Sequence, residues 1–448
     1  MSRLFGTDGI RGVANQHPMT PEMAVKIGRA VAACFACSDP ASVVIGHDTR
    51  RSAAMIESGL ISGICSEKSN VIPAGVLPTP GVAYLIAALG GCAGIVVSAS
   101  HNPYTDNGIK IFDGSGYKLT IEMEQKLETL IQSDFPPGGR SGNPEIGTIR
   151  PAMNALERYL EFLKQALAED VRLQGMKIVL DCANGATFLV APMLFGELGA
   201  STQVLFASPD GRNINDGCGS EHPQALAEAV KASQADVGLA FDGDGDRLIA
   251  VDETGEVLTG DQVLAICARY MKQKGVLKSN TVVSTVMSNM GLGVALKEMG
   301  ISHVMTNVGD RYVTEAMRSQ GAVLGGEDSG HTVFLDHQTT GDGMLTGMKL
   351  LEVMVAEEKS LSELKGVMTV FPQVLINVDV CSKPDLGSIP EIQQVIEDVE
   401  IELNGKGRVL VRYSGTQPQC RVMVEGLTEN QTRDYCQRIA DIIKDSIG

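Results

Sequence analysis

Ser42-Val-Val-Ile-Gly-His-Asp-Thr-Arg50 begins as an apolar run and ends in polar residues. The residues that follow, to about position 67, are compatible with a helix, and a second apolar run occupies 71–74. The same order of strand, polar loop, helix and strand starts again at residue 177 and at residue 281. Because apolar strands that alternate with helices form βαβ units, the sequence predicts three related α/β domains with sheets buried on both faces.

The chain of 448 residues is too long for one hydrophobic core, so several domains are expected. Turn-rich segments divide the α/β region into residues 1–152, 153–253 and 254–369. Residues 370–448 differ, with predicted strands at 374–380, 408–411 and 421–424 and predicted helices at 389–396 and 430–447. The predicted fold class is therefore α/β: three topologically related domains with mixed sheets plus a small α+β C-terminal domain, placed around a central cleft.

The composition excludes several classes of protein. The formal net charge of −17 opposes non-specific binding to nucleic acid or to an anionic membrane. The chain has no apolar run of about 18 or more residues, and its first residues lack the apolar region of a signal peptide, so a cytoplasmic protein without nucleic-acid or membrane partners is expected. The pair Cys34 and Cys37 lacks the second half of a zinc site, and most of the ten cysteines are expected to be small buried apolar residues.

Asp242, Asp244 and Asp246 alternate with glycines in the segment Asp242-Gly-Asp-Gly-Asp-Arg247. Hard divalent cations prefer oxygen ligands, and carboxylates at this spacing in a flexible loop can converge on one ion. The spacing also matches the start of an EF-hand calcium loop, but Arg247 stands where that loop needs glycine, and the flanks resemble strands. A magnesium-type site is favoured over a calcium loop or a solvated turn, with Arg247 beside it to contact a phosphate oxygen.

A candidate nucleophile follows the apolar run at 95–97, in the segment Ser98-Ala-Ser100-His-Asn-Pro103. A serine needs activation by a neighbouring group, and His101 and Lys110 are candidate proton carriers for Ser100. On these residues alone, a strand-end or helix-capping serine is the favoured interpretation, and Ser98 is a rival in the same segment.

A polar loop between two predicted strands near the C-terminus has the chemistry of a phosphate-binding site. Hydroxyl groups, backbone N–H groups and a planar guanidinium all bind phosphate oxygens well. The candidate residues are Arg412, Ser414, Gly415, Thr416 and Arg421. A plain turn with a surface arginine is the alternative.

A second polar loop places Glu327, Ser329 and His331 at alternate positions between glycines. Alternate positions allow the three side chains to face one side, where a carboxylate, a hydroxyl and an imidazole suit the hydroxyls of a sugar. A structural turn is the competing interpretation.

Four segments in order closely resemble signature blocks of the α-D-phosphohexomutase superfamily. They are Ser98-Ala-Ser100-His-Asn-Pro103, Asp242-Gly-Asp-Gly-Asp-Arg247, Gly326-Glu-Asp-Ser-Gly-His331 and Arg412-Tyr-Ser-Gly-Thr416. The resemblance spans almost the whole chain, and the opening segment Phe5-Gly-Thr-Asp-Gly-Ile-Arg-Gly-Val-Ala-Asn15 is similar to the branch that acts on glucosamine phosphates. Asp328, Tyr413 and Gln417 depart from the residues usual in that branch, which bears on substrate preference but leaves the phosphotransfer residues intact.

The resemblance implies an isomerase that interconverts glucosamine-6-phosphate and glucosamine-1-phosphate through a phosphoserine and a 1,6-bisphosphate, feeding UDP-N-acetylglucosamine and cell-wall synthesis. It implies one Mg²⁺ per chain, held by the Ser100 phosphate and the three aspartates, and glucosamine-1,6-bisphosphate or glucose-1,6-bisphosphate as the candidate activator. It further implies that Arg247 positions the phosphate, that His101 and Lys110 carry protons, and that Arg11 and His331 support the reacting end. A small-molecule hexosamine phosphate is the implied partner, and a homodimer is the family-based expectation.

Three other activities are compatible with the same residues. The first is a phosphomannomutase or phosphoglucomutase of the same superfamily, which differs only in the sugar. The second is an inactive protein that merely binds sugar phosphate, although the nucleophile, the aspartates and Arg412 are all present. The third is a metal-dependent phosphatase, in which water intercepts the phosphoserine.

Overall fold

The structure is a computed structural model that describes residues 4–6, 8–36, 40–133, 145–168, 171–414 and 418–448. By their internal contacts the residues form two compact units. The larger unit is Met1–Met287 with Ile301–Gly366, and the smaller unit is Ser288–Gly300 with Val367–Gly448. Within the described residues, three sheets belong to the larger unit and one sheet to the smaller.

The first α/β domain contains β1 (Ile10–Val13), α1 (Pro21–Cys34), β2 (Ser42–His47), α2 (Ala53–Ser66), β3 (Asn70–Val76), α3 (Thr79–Ala88), β4 (Ala93–Val97), β5 (Asp106–Asp113) and α4 (Ile121–Gln132). Its sheet has the strand order β1-β5-β4-β2-β3. Strands β3, β2 and β4 are parallel, while β5 pairs antiparallel with β4 and β1. All residues of β4 are buried, as expected for a strand inside a covered sheet.

The second domain contains α5 (Ala155–Gln165), β6 (Lys177–Asp181), α6 (Val190–Glu197), β7 (Ser201–Leu205), α7 (Gln224–Ser233), β8 (Val237–Phe241) and β9 (Leu248–Asp252). Its strand order is β7-β6-β8-β9, with the β8–β9 pair antiparallel and the others parallel. The loop that joins β8 to β9 carries the three aspartates. Strands flank this loop where an EF-hand has helices, so the calcium-loop alternative does not apply.

The third domain contains α8 (Gly260–Gln273), β10 (Thr281–Thr285), α9 (Met290–Glu298), β11 (Ser302–Thr306), α10 (Asp310–Gln320), β12 (Leu324–Gly326), β13 (Thr332–Phe334), α11 (Gly343–Glu357) and α12 (Leu361–Leu364). Its strand order is β11-β10-β12-β13, again with one antiparallel pair, β12–β13. Helix α9 belongs to the smaller unit. In that unit Asn289 Nδ2 donates to the Phe371 carbonyl oxygen at 2.9 Å.

The C-terminal domain contains β14 (Gln373–Asp379), α13 (Pro390–Leu403), β15 (Arg408–Tyr413), β16 (Gln419–Glu425) and α14 (Glu429–Ile447). Its antiparallel sheet has the order β14-β16-β15. Helix α13 runs beyond the predicted end at residue 396 because the amphipathic pattern continues, with Val399 and Leu403 buried in the core of this domain.

The predicted fold class is confirmed: three α/β domains with mixed sheets precede a small α+β domain. Most described free cysteines are buried, and burial raises the pKa of the Cys420 and Cys436 thiols to about 11, as expected for residues that serve as packing. Among the described helices, none combines the length and the apolar character needed to cross a membrane.

Candidate active site

Ser100 lies just after β4 at a position that the local backbone makes unusual. Its φ of 53° falls in the left-handed region, which residues other than glycine seldom occupy. The Ser100 N–H donates to Ser98 Oγ at 2.9 Å, and the Ser100 hydroxyl donates to Asp242 Oδ2 at 2.5 Å. The side chain is therefore turned away from its own strand and toward the aspartate loop.

Ser98, the rival nucleophile, has a different environment. Ser98 is buried, as Ser100 is, but its hydroxyl donates to Asp48 Oδ2 at 2.6 Å while it accepts the Ser100 N–H. Both bonds hold the segment that carries Ser100. The geometry therefore favours a supporting role for Ser98 and the reactive role for Ser100.

Arg50 and Asp48 form a buried pair that supports the same segment, and the sequence analysis did not single out either residue. Arg50 Nε donates to Asp48 Oδ2 at 2.9 Å. Burial raises the pKa of Asp48 even though Arg50 acts in the opposite direction. The Arg50 guanidinium also donates to four backbone carbonyl oxygens, those of Ser100 (2.9 Å), Asn102 (2.7 Å), Asp106 (3.0 Å) and Pro103.

The three aspartates converge in the loop between β8 and β9. Their carboxylate oxygens lie within 4.8 Å of one another, and all three side chains are buried. Gly245 has a φ of +71°, and a Cβ at Gly243 would lie 2.6 Å from the Ser100 carbonyl oxygen, so both turn shape and close approach require glycine here. The predicted spacing thus produces a compact cluster of oxygen atoms beside Ser100.

The charges in the cluster fit a divalent cation. Burial, followed by the negative charges of Asp246 and Asp244, raises the pKa of Asp242 well above its usual value. Asp244 Oδ1 and Asp246 Oδ1 are buried and have no hydrogen-bond partner among the described residues. Unpaired oxygens in an all-carboxylate cluster are the ligands that Mg²⁺ takes.

Lys110 also faces the cluster, from strand β5. Its Nζ lies 2.7 Å from Asp244 Oδ2, 3.1 Å from Asp246 Oδ2 and 3.1 Å from Asp8 Oδ2. Burial disfavours the charged amine, but these carboxylates raise the pKa of Lys110 well above its usual value. The neighbouring carboxylates thus favour the charged form of Lys110, and Asp8 is a partner that the sequence analysis missed.

His101 contacts Ser100, and Arg247 contacts Asp242. His101 Nδ1 is 3.3 Å from Ser100 Oγ, and burial together with the charge of Arg247 lowers the pKa of the imidazole to about 4. The Arg247 backbone N–H donates to Asp242 Oδ1 at 3.2 Å, and its guanidinium contacts Glu221 at 3.2 Å. Both predicted residues are thus beside the nucleophile.

Arg11 and Asn215 add support to the nucleophile segment. Arg11 Nη1 donates to the Ala99 carbonyl oxygen at 3.3 Å and to Asn102 Oδ1 at 3.4 Å. Asn215 Nδ2, which the sequence analysis missed, donates to the carbonyl oxygens of Ser100 at 2.9 Å and Asn102 at 3.1 Å. The segment is therefore held from the first and the second domain.

The loop of Glu327, Ser329 and His331 is a turn between β12 and β13, the shape that the competing interpretation gave it, and its role toward a sugar stays a prediction. The Glu327 N–H donates to the His331 carbonyl oxygen at 3.0 Å, which closes the turn and prevents regular alternation. Ser329 is exposed at the turn, whereas His331 is buried with Nδ1 3.7 Å from Asp246 Oδ1. Glu327 Oε1 accepts the Gly309 N–H at 3.1 Å.

Lys118 joins the first domain to the third. Its Nζ contacts the carboxylates of Asp8 and Asp310, and Arg311 Nη1 nearby donates to Glu124 Oε2 at 3.1 Å. Burial opposes the charge of Lys118, but Asp310 and Asp8 raise its pKa. Asp8 therefore lies between Lys110 and Lys118. Ion pairs connect the aspartate cluster through these three residues to Asp310.

In the smaller unit, Arg412 on β15 and Arg421 on β16 are directly opposite each other in the antiparallel pair. Burial and the charge of Arg421 lower the pKa of Arg412, and Arg421 Nε is buried without a hydrogen-bond partner among the described residues. Lys383 Nζ adds a third positive charge, 2.6 Å from the carbonyl oxygen of the buried Ser414. Such a cluster of cations suits an anion. Gly415 and Thr416 lie outside the described residues.

We expect Arg412→Ala to weaken the binding of the sugar phosphate that the resemblance implies as substrate by up to about 3 kcal/mol, because a charge-assisted contact is removed. The apparent KM for the sugar phosphate measures the effect. Arg433→Ala is the matched control, since Arg433 in the same unit forms an exposed pair with Glu429. An unchanged KM in Arg412→Ala would remove this residue from the anion site.

Comparisons with known proteins agree with the observed fold. Family models described as phosphoglucomutase/phosphomannomutase alpha/beta/alpha domains I, II and III match residues 2–136, 157–255 and 259–371, and the C-terminal domain model matches residues 375–442. The fold and the site together define an α-D-phosphohexomutase, a class of isomerases. The chain belongs to the phosphoglucomutase/phosphomannomutase family.

Within this family the chain is similar over its full length to phosphoglucosamine mutases. It is 55% identical over 450 residues to that of Syntrophus aciditrophicus and 52% identical over 449 residues to that of Geobacillus thermodenitrificans, with 100% of each chain covered in both cases. Among solved structures, a phosphoglucomutase/phosphomannomutase family protein from Burkholderia thailandensis has a TM-score of 0.81 at 24% identity, covering 99% of this chain and 98% of that one.

A second solved structure is Aspergillus fumigatus N-acetylphosphoglucosamine mutase in complex with GlcNAc-6P and magnesium. Its TM-score is 0.68 at 18% identity, with 99% of this chain and 95% of that chain covered. These structural likenesses concern the fold.

Proposed function

We propose that the chain interconverts glucosamine-6-phosphate and glucosamine-1-phosphate by moving a phosphoryl group between the 6- and 1-oxygens of the sugar. Full-length identity to phosphoglucosamine mutases supports this choice of substrate. The single observation that carries the chemistry is the 2.5 Å hydrogen bond between Ser100 Oγ and Asp242 Oδ2. It places a hydroxyl against a buried three-aspartate cluster, where a serine can accept and return a phosphoryl group.

Mg²⁺ is the proposed metal, with Mn²⁺ as a substitute of the same ligand preference. Asp242, Asp244, Asp246 and the Ser100 phosphate would hold it, because the three carboxylates offer oxygen atoms and two of these have no hydrogen-bond partner among the described residues. When bound, the cation neutralises negative charge on the phosphoryl group during transfer.

The reaction consists of two transfers at Ser100. In the first, the bond between phosphorus and Ser100 Oγ breaks while phosphorus bonds to the free hydroxyl oxygen of the sugar phosphate, which loses its proton. In the second, Ser100 Oγ loses its proton and bonds to the phosphorus of the other phosphoryl group of the 1,6-bisphosphate, while the bond between that phosphorus and the sugar oxygen breaks. The sugar oxygen takes up a proton, and the isomeric monophosphate leaves. His101, whose Nδ1 is 3.3 Å from Ser100 Oγ, is the proposed proton carrier, although the hydroxyl donates to Asp242 Oδ2 in this structure.

The remaining predicted residues bind and orient the substrate in this proposal. Arg247 and Lys110 place positive charge beside the transferring phosphate, and Arg11 holds the segment that carries Ser100. Glu327, Ser329 and His331 contact the sugar ring. In the smaller unit, Arg412, Ser414 and Arg421 are the residues proposed to bind a phosphate group, with Gly415 and Thr416, which lie outside the described residues, predicted to join them.

The first phosphorylation of Ser100 needs a donor. A sugar 1,6-bisphosphate, such as glucose-1,6-bisphosphate or glucosamine-1,6-bisphosphate, fits because it transfers one phosphoryl group to Ser100 and leaves as a monophosphate. We expect incubation with glucose-1,6-bisphosphate to add the mass of one phosphoryl group to the protein, as measured by intact-mass spectrometry before and after phosphatase treatment.

The test of the substrate is a comparison of three sugars with the phosphorylated protein. We expect the highest kcat/KM with glucosamine-6-phosphate, and lower values with mannose-1-phosphate and glucose-1-phosphate, measured in coupled assays. A preference for either neutral sugar would overturn the proposed substrate. Release of inorganic phosphate in proportion to substrate loss would instead identify a phosphatase, and absence of both turnover and adduct would identify a binding protein.

A further inference from the structure

Thr79 is the first residue of α3 in the first domain, and it contacts the metal-site loop of the second domain. Its hydroxyl donates to Asp244 Oδ2 at 2.5 Å, and its backbone N–H donates to the Asp244 carbonyl oxygen at 2.8 Å. The residue is fully buried. Two bonds from one residue therefore hold both the backbone and the carboxylate of Asp244.

The two oxygen atoms of the Asp244 carboxylate differ as a result. Oδ2 accepts from Thr79 Oγ and also from Lys110 Nζ at 2.7 Å. Oδ1 is buried and has no hydrogen-bond partner among the described residues. Because Oδ2 already accepts two hydrogen bonds, Oδ1 is the oxygen available to a cation. The same two bonds restrict rotation of the Asp244 carboxylate.

We infer that Thr79 is a positioning residue of the metal site: it binds Asp244 Oδ2 so that Oδ1 is presented to the cation. This inference rests on the proposed function, since it concerns the proposed magnesium site. Thr79 comes from the first domain and the aspartates come from the second, so the site reaches its full affinity only when α3 packs against the aspartate loop. Groups that hold a metal-ligating carboxylate in this way raise the affinity for the metal.

The test is a titration of the full-length protein with Mn²⁺ in the absence of substrate. Electron paramagnetic resonance measures the concentration of free Mn²⁺, from which the Kd follows. Thr79→Val keeps the shape and the backbone N–H but removes the hydroxyl, and we expect its Kd for Mn²⁺ to rise by about 10-fold to 100-fold. Thr79→Ser restores the hydroxyl and is expected to bind close to wild type. Thr187→Val is the matched control, because this buried hydroxyl donates to the Cys182 carbonyl oxygen rather than to a carboxylate.

Activity provides a second measurement. At limiting Mg²⁺ the turnover of Thr79→Val should fall, and at high Mg²⁺ it should recover without a change in the KM for sugar phosphate. A merely structural role would lower stability and leave the metal dependence unchanged.

Two results would overturn the inference. If wild type and Thr79→Val bind Mn²⁺ equally, Thr79 does not position Asp244, while the proposed function stands. If wild type binds no Mn²⁺, the inference and the metal part of the proposed function fail together.

Discussion

Replacing Ser100 with alanine is expected to lower turnover by about 10⁴-fold to 10⁶-fold, the scale of loss when a covalent nucleophile is removed. The reason is that no oxygen remains at this position to accept the phosphoryl group. The variant should also carry no phosphoryl adduct after incubation with glucose-1,6-bisphosphate, as measured by intact mass. The fold should be retained, because alanine lacks only the hydroxyl group. The backbone N–H at position 100 can still donate to Ser98 Oγ.

Ser98→Ala is the matched control, since this serine lies two positions away in the same segment. We expect it to form the adduct. Its free energy of unfolding should fall by about 1–3 kcal/mol, because the buried Asp48 carboxylate and the Ser100 N–H each lose a partner. If the adduct disappears in Ser98→Ala and persists in Ser100→Ala, the nucleophile is Ser98 and the proposed chemistry must be reassigned.

Replacing Arg50 with glutamine is expected to lower the free energy of unfolding by about 3–5 kcal/mol, the usual loss when one partner of a buried ion pair is removed. The Asp48 carboxylate would stay buried without its cation, and the backbone carbonyl oxygens of the nucleophile segment would lose their donors. Chemical denaturation measures the change. Turnover should fall as well, because Ser100 is no longer held in its left-handed conformation.

The loss in Arg50→Gln should depend on pH with a definite sign. Burial already raises the pKa of Asp48, and removal of the guanidinium raises it further. A carboxyl group whose pKa is higher in the folded state stabilises the fold at low pH, and that contribution disappears as the pH rises through the folded-state pKa. The destabilisation should therefore be smaller at pH 5 than at pH 8.

Two further variants keep this prediction testable if Arg50→Gln does not fold. Arg50→Lys retains the charge but lacks the planar fork, so we expect an intermediate loss of both stability and turnover. Arg51→Gln changes the exposed neighbour and should shift the free energy of unfolding by less than about 0.5 kcal/mol. Wild-type turnover in a folded Arg50→Lys protein would contradict the proposed support of Ser100.

Local patterns in the chain were sufficient for the secondary structure and for part of the site. Apolar patterns over a few residues predict the buried strands β4 and β8 and the helices between strands. Such a pattern depends only on residues within one segment. The convergence of Asp242, Asp244 and Asp246 was likewise predictable, because the carboxylates lie in one short loop whose glycines permit a tight turn. The shape of the loop of Glu327, Ser329 and His331 was left open between two interpretations, and the Glu327–His331 backbone bond makes it a turn.

The tertiary structure alone decided which side chains support these groups. Arg50, Thr79 and Asn215 contact the nucleophile or the aspartates across separations of 50 to 165 residues, and they occur in the sequence as ordinary loop or helix-start residues. The same packing separates Ser98 from Ser100, since only contacts with Asp48 and Asp242 distinguish two similar hydroxyls. Periodicity acts between near neighbours in the chain, whereas hydrogen bonds and charges act between neighbours in space, and those neighbours exist only after the domains have packed.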